Sequence, residues 1–346
     1  MRIAIINDTR PTNHYGCMLV MENLIHLLKQ QGADIVWTWP VGIDWRKHKR
    51  QIIGKPQVDA IIVNGEGTIH HSADRKHARA LSEFAEYAKE KLCTPCYLIN
   101  ATLYKNSSEV YERLKAYRLI YVRDKESLDE LHSFGLKGRY VPDLTFAKSS
   151  NYLHQPNKSV SVIDTALKAQ IPILKAYCHQ NGFDFRSMVV ARPSNANFFK
   201  SPRPFVKNIF KWVKEDHKIS TQPSAFINYL SKYEMVITGR YHAVSMCLKN
   251  KIPFVAIESN TPKISFLLED ALKDCSRIIH FNELNQLNLD LYRTYSEIEL
   301  QNLNAFILRA ENEIQEMVAL ISQDIQKPHG YFDTESYKQE GSLENK

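Results

Sequence analysis

The chain has 346 residues, 44% of them hydrophobic and 24% charged, which is the balance of an ordinary globular protein. That length predicts two domains of roughly 150 residues each. Forty-five Lys and Arg against 38 Asp and Glu leave a formal charge of +7, which favours anionic partners; no recognition helix, zinc finger or RNA-binding aromatic motif points to nucleic acid, and no apolar run approaches the roughly 20 residues of a membrane span.

The opening Met1-Arg2-Ile3-Ala4-Ile5-Ile6-Asn7 turns polar too soon for a signal-peptide core. It reads as a first strand, and the expected location is cytoplasmic. A long polar loop containing His14 follows and ends in Gly16-Cys17, before a helix over 19–28. Short apolar runs at 35–39, 60–63, 97–99 and 119–122 read as further strands. Helical patterns at 78–92, 110–114 and 127–131 lie between them. In the first of these, Leu81, Phe84, Ala85, Ala88 and Leu92 recur at three- and four-residue spacing and form one apolar face. Such alternation predicts parallel βαβ units with helices on both faces of a sheet. Trp37, Trp39 and Trp45 could stack on sugar faces, with a core position favoured for Trp37.

Residues 148–158 are polar and rich in breakers, and read as a linker. A second alternating set follows: strands at 160–163, 187–191, 235–238, 253–257 and 277–281, and a helix over 166–178 interrupted by Pro172. The segment 198–218 mixes Phe199, Phe205, Phe210 and Trp212 with lysines. It could meet a membrane surface, but a local helix docking its aromatics into the core is the preferred reading. A long amphipathic helix spans 296–325, and the polar tail 326–346 is expected to be disordered. The predicted fold is α/β: two Rossmann-like, doubly wound domains (1–150 and 151–325) facing a cleft, with a closing C-terminal helix. Glycosyltransferases of the GT-B type share this layout.

The six cysteines, Cys17, Cys93, Cys96, Cys178, Cys247 and Cys275, are scattered. Only Cys93 and Cys96 are close, and they precede a strand, so all six read as reduced structural thiols. His70, His71 and His77 cluster without Cys or paired carboxylates at ligand spacing, so no metal is expected.

The densest chemistry follows the strand at 235–238. Gly239, Arg240 and His242 come at once and open a helix. A strand end feeding a helix is where open α/β sheets bind ligands, and the helix N-terminus favours an anion. Arg240 offers a bidentate fork, and His242 a proton donor or acceptor near neutral pH. The next strand ends in a loop carrying Glu258, Ser259, Asn260 and Lys263, so the two junctions should share one anion pocket.

The order strand–Gly–Arg–x–His–Ala–helix–x–Pro–strand–polar loop–Lys resembles the polysaccharide pyruvyl transferase family. Val63-Asn64-Gly65-Glu66-Gly67-Thr68 is similar to that family's glycine-rich loop. Tyr121-Val122-Arg123-Asp124 is similar to its Arg-Asp segment, and Val141-Pro142-Asp143 to the Pro-Asp that closes its first domain. The N-terminal loop departs from the family's Asn-x-Gly-Asp pattern, which leaves the acceptor open. The resemblance implies a GT-B-like enzyme of glycan assembly, acting at the inner face of a membrane if its acceptor is lipid-linked. It would move the enolpyruvyl group of phosphoenolpyruvate onto a sugar as a pyruvate ketal, without a cofactor. It implies that His242 is the general acid and that Arg240 holds the carboxylate or phosphate. Arg123, Gly239, Glu258, Ser259, Asn260 and Lys263 would complete the donor side; Asn64, Gly65, Glu66, Gly67, His70 and His14 are acceptor or loop candidates. Two competitors keep the fold: a nucleotide-sugar glycosyltransferase, with Glu258 on the ribose, and a non-catalytic sugar- or anion-binding protein.

Overall fold

The computed structural model describes residues 1–148, 152–193, 202–258 and 261–327. In the first part, β1 (Arg2–Asp8), β2 (Asp34–Pro40), β3 (Ala60–Glu66), β4 (Cys96–Ala101), β5 (Leu119–Val122) and β6 (Arg139–Tyr140) form one parallel sheet in the order β2-β1-β3-β4-β5-β6. The crossovers carry α1 (Tyr15–Gln30), α2 (Lys49–Ile53), α3 (Lys76–Tyr87), α4 (Ser108–Leu114) and α5 (Lys125–Ser133). Strand β1 shows why its sequence is a continuous apolar run. Ile3 and Ile5 enter the core on one face, Ala4 and Ile6 the core on the other, as expected of a strand covered by helices on both sides.

The second sheet is also parallel. It runs β11 (Ile278–Ile279), β10 (Phe254–Ile257), β9 (Tyr233–Gly239), β7 (Lys158–Thr165), β8 (Asp184–Arg186). Its helices are α6 (Ile171–Asn181), α7 (Pro202–Lys211), α8 (Pro223–Leu230), α9 (Tyr241–Lys249) and α10 (Lys263–Leu272), and α11 (Glu297–Gln326) closes the chain. Pro172 does not interrupt a helix; it lies at the first turn of α6, where its missing N–H costs nothing.

Strand order reverses between β1 and β3 in one sheet and between β7 and β9 in the other. Ligands of open α/β sheets bind at such reversals, outside the carboxyl ends of the strands. One apolar core joins the sheets: it runs from Ile5 and Ile62 through Met21 and Leu24 of α1 and Val244 of α9 to Phe306 and Ile314 of α11. Near its end α11 returns to the first sheet, where Asp324 accepts from Arg118 at 2.6 and 2.8 Å and from the Tyr97 hydroxyl at 2.8 Å.

Three further expectations fail. Residues 187–191 are not a sheet strand; β8 stops at Arg186. The Met188 N–H donates to Asp164, its carbonyl accepts from the Tyr15 N–H, and Val189 bridges His14 of the first part. The backbone groups that a strand would pair are taken by that crossing. The segment 198–218 does not bury its aromatics as a set either: Phe199 lies outside the described residues, and Phe210 is 61% exposed. Trp37, Trp39 and Trp45 are buried, with indole N–H groups donating to the carbonyls of Pro56, Ile43 and Ala80, so none offers a stacking face.

Candidate active site between the two sheets

Helices α1 and α9 start at the two reversals, and their first turns meet. The meeting depends on Gly16, because a Cβ there would lie 2.1 Å from the Cβ of His242. The rings of His14 and His242 then stand edge to face with centroids 5.5 Å apart. A cavity of about 230 Å³ opens beside them, lined among others by Glu66, Gly67, Arg123, Gly239, Arg240 and Lys263.

The first sheet contributes Glu66 at the end of β3, with φ +40°. Its Oε1 accepts from Thr9 Oγ1 at 2.6 Å and from Asn64 Nδ2 at 2.8 Å, which fixes the carboxylate. Asn64 therefore supports the wall from behind. Gly65 serves packing: a Cβ there would lie 2.5 Å from that of Ala101. Arg123 leaves β5 and is buried. Its Nε donates to Thr102 Oγ1 at 2.7 Å, its Nη1 to Asp143 Oδ2 at 2.8 Å, and its plane lies 4.4 Å over the Tyr241 ring.

The second sheet contributes Arg240 and His242. Arg240 grips Asp164 with Nε and Nη2, both at 2.9 Å, so the fork expected to hold a ligand is largely used inside the protein. A guanidinium carries five N–H donors, and the remainder are left for the cavity that Arg240 lines. Its side chain makes no capping hydrogen bond to α9, which leaves that helix end open to an anion. His242 is buried, and its Nε2 has no hydrogen-bond partner among the described residues. Asp143 Oδ2 stands 3.8 Å away, near enough for charge and too far for a hydrogen bond. Burial works against ionisation of Asp143, but His242, Arg123 and the Thr145 N–H outweigh it and hold the carboxyl well below its usual range.

Charge decides what the cavity accepts. Burial and the neighbouring Arg123 and Arg240 push Lys263 down to about 8. Burial, with His242, Arg240 and Lys263, keeps His14 neutral at pH 7. Burial and then Glu66 push the Cys17 thiol up. Cys17 lines the cavity, so it does more than pack the structure. Ligand atoms of His14, Cys17 and His242 lie within 4.8 Å of one another and by donor type could hold a soft cation. Arg123, Arg240 and Lys263, which line the same cavity, oppose one and favour an anion.

Other candidates fall elsewhere. His70 is pushed down to about 3 by burial and by Arg75 and Lys263. Its Nδ1 meets His71 Nδ1 at 2.7 Å and its Nε2 meets Arg75, so it is no free acceptor base. Glu258 accepts from Ser265 and does not line the cavity. Ser259 and Asn260 lie outside the described residues, as do 328–346 of the tail. Sequence reasoning missed Asp143 and Asp164 as site residues. Asp143 had a signal in Pro-Asp; Asp164 had only its place at a strand end.

The profile of one family, described as polysaccharide pyruvyl transferase, matches residues 14–261. No curated protein matches. Solved structures do: the S. aureus MnaA–UDP complex (14% identity, 96% of this chain and 100% of that one, TM-score 0.57) and the Methanocaldococcus jannaschii UDP-GlcNAc 2-epimerase in complex with UDP-GlcNAc and UDP (11%, 93% and 100%, 0.54). The Neisseria meningitidis UDP-GlcNAc 2-epimerase bound to UDP-GlcNAc matches similarly (11%, 95% and 100%, 0.53). At such identities the likeness is one of fold, and that fold is GT-B-like.

Proposed function

Because the chain belongs to the polysaccharide pyruvyl transferase family, we propose that it transfers the pyruvyl group of phosphoenolpyruvate to a pair of sugar hydroxyls. The observation that carries this reading is the cavity where both strand reversals meet, with Arg123, Arg240, Lys263 and the start of α9 around His242. A donor with both a carboxylate and a phosphate needs several cationic contacts, and an enol carbon needs an acid.

Lys263 and the free N–H groups of Arg240 bind the anionic groups, and Arg123 adds positive charge from the opposite wall. His242 protonates the C3 methylene while one sugar hydroxyl adds to C2, giving a tetrahedral phospho-ketal. The second hydroxyl then displaces phosphate and closes the cyclic ketal. Of the two hydroxyl protons released, one replaces the proton given to C3 and the other leaves with phosphate. Asp143 acts as a positioning residue: it supports the imidazolium and fixes Arg123.

A nucleotide-sugar donor is the weaker reading. Glu258, the residue expected on the ribose, accepts from Ser265 and does not line the cavity. The test is phosphate release from phosphoenolpyruvate with a panel of saccharides, the product followed by its new methyl resonance. Release that requires a diol-bearing sugar supports the proposal. Release of UDP from a UDP-sugar, with phosphoenolpyruvate untouched, overturns it.

A further inference from the structure

Helix α7 and the π-helical turn after it (Trp212–Asp216) present an unusual outer face. Val206, Phe210 and Val213 recur at four- and three-residue spacing and are 44%, 61% and 54% exposed. Isolated exposed apolar side chains are ordinary, whereas a helical stripe of three calls for a partner. Arg203, Lys207, Lys214 and Lys218 flank the stripe and are exposed; none has an ion-pair partner among the described residues. The two acids of the segment are already used, Glu215 by Lys175 at 3.6 Å and Asp216 by Lys211 at 3.3 Å. An apolar ridge edged by unpaired cations is the signature of a helix lying in a lipid interface, with its apolar side chains inserted and its lysines reaching the headgroups.

We propose that this face docks the protein onto a membrane surface rich in anionic phospholipid. The placement is independent of the reaction assigned above. Charge complementarity selects the occupant: acidic headgroups satisfy the flanking cations while acyl chains take Val206, Phe210 and Val213. A polyanion without apolar surface would leave the ridge in water. The helix is also tied to the cleft. Lys211 Nζ donates to the Val189 carbonyl at 2.9 Å, Val189 bridges His14, and His14 lines the cavity. A docked α7 therefore holds the cleft close to the lipid surface, where a lipid-linked acceptor would be presented.

Co-sedimentation with vesicles tests this, comparing phosphatidylcholine containing phosphatidylglycerol with phosphatidylcholine alone. The full chain should partition to the anionic vesicles and release at high salt. Val206→Ser/Phe210→Ser should weaken partitioning by about tenfold. Lys207→Gln/Lys214→Gln should weaken it by roughly fivefold per charge removed. Leu308→Ser, at an exposed position on α11, should leave it unchanged, and all variants should keep the wild-type melting temperature. Absence of wild-type binding, or partitioning of either double variant at the wild-type level, overturns the proposal. So does a concentration-dependent dimer, without vesicle binding, that Phe210→Ser dissociates, since the face would then join two copies. The thermal response to phosphoenolpyruvate should be the same in every variant, so a failed donor assignment is read separately.

Discussion

At the scale of single residues, the site depends on pairs that cross from one sheet to the other. Asp143 and His242 stand 3.8 Å apart across that divide. If His242 is the acid and Asp143 its positioner, His242→Gln should lower kcat by about 10²- to 10⁴-fold with little change in donor affinity. Asp143→Ala has a second cost, because it leaves Arg123 buried without its carboxylate; about 3–5 kcal/mol of stability should go with it, measured by denaturant unfolding. Since the folded carboxyl sits below its ordinary value, its contribution is full at neutral pH and is lost as the pH falls below about 4. Lys263 titrates the other way. With its proton leaving near pH 8, apparent affinity for an anionic donor should fall above that pH, by up to tenfold per unit, and Lys263→Met should flatten the profile. The same depressed value means that burying this lysine costs the ligand-free fold stability at neutral pH, a cost that fades as pH rises from about 8 toward the unfolded value near 10.4.

At the scale of elements, the meeting of α1 and α9 is the decisive contact. Gly16→Ala would place a methyl group inside van der Waals distance of His242. The helices must separate, so stability should fall by about 1–3 kcal/mol and activity should fall further than stability alone explains, because His242 moves. A chain that loses stability and keeps full activity would contradict this role. Much of the local structure was legible beforehand. The apolar runs that became β1, β3, β7 and β9 are buried on both faces, and their carboxyl-end residues Glu66, Gly239 and Arg240 stand where the strand–helix pattern put them. What sequence could not give was pairing at a distance. The run 187–191 has the composition of a strand, yet Asp164, Tyr15 and His14 claim its backbone. Arg240 looked like a free fork because nothing local marks Asp164 as its partner. Gly16 looked like the end of a loop because its neighbour lies more than two hundred residues away.

At the scale of the whole molecule, a shared core and a returning helix make the two sheets one mechanical unit. The apolar cluster is continuous from β1 through α1 and α9 to α11, and Asp324 ties the last turns of α11 to Arg118 and Tyr97. Calorimetry should show one cooperative transition for the intact chain, and Asp324→Ala should lower its midpoint by leaving the Tyr97 hydroxyl and Arg118 short of their acceptor. Two resolved transitions in the wild type would contradict a shared core. Bringing both strand reversals to one cavity is also a property of the whole, and function follows from what that cavity binds. Its most direct test is a thermal titration of wild type and Lys263→Met with phosphoenolpyruvate and, separately, with UDP-sugars. Phosphoenolpyruvate at 100 times its dissociation constant should stabilise the wild type by about 2.7 kcal/mol, with a weaker response in Lys263→Met and none to UDP-sugars. Stabilisation by a UDP-sugar and indifference to phosphoenolpyruvate would contradict the account.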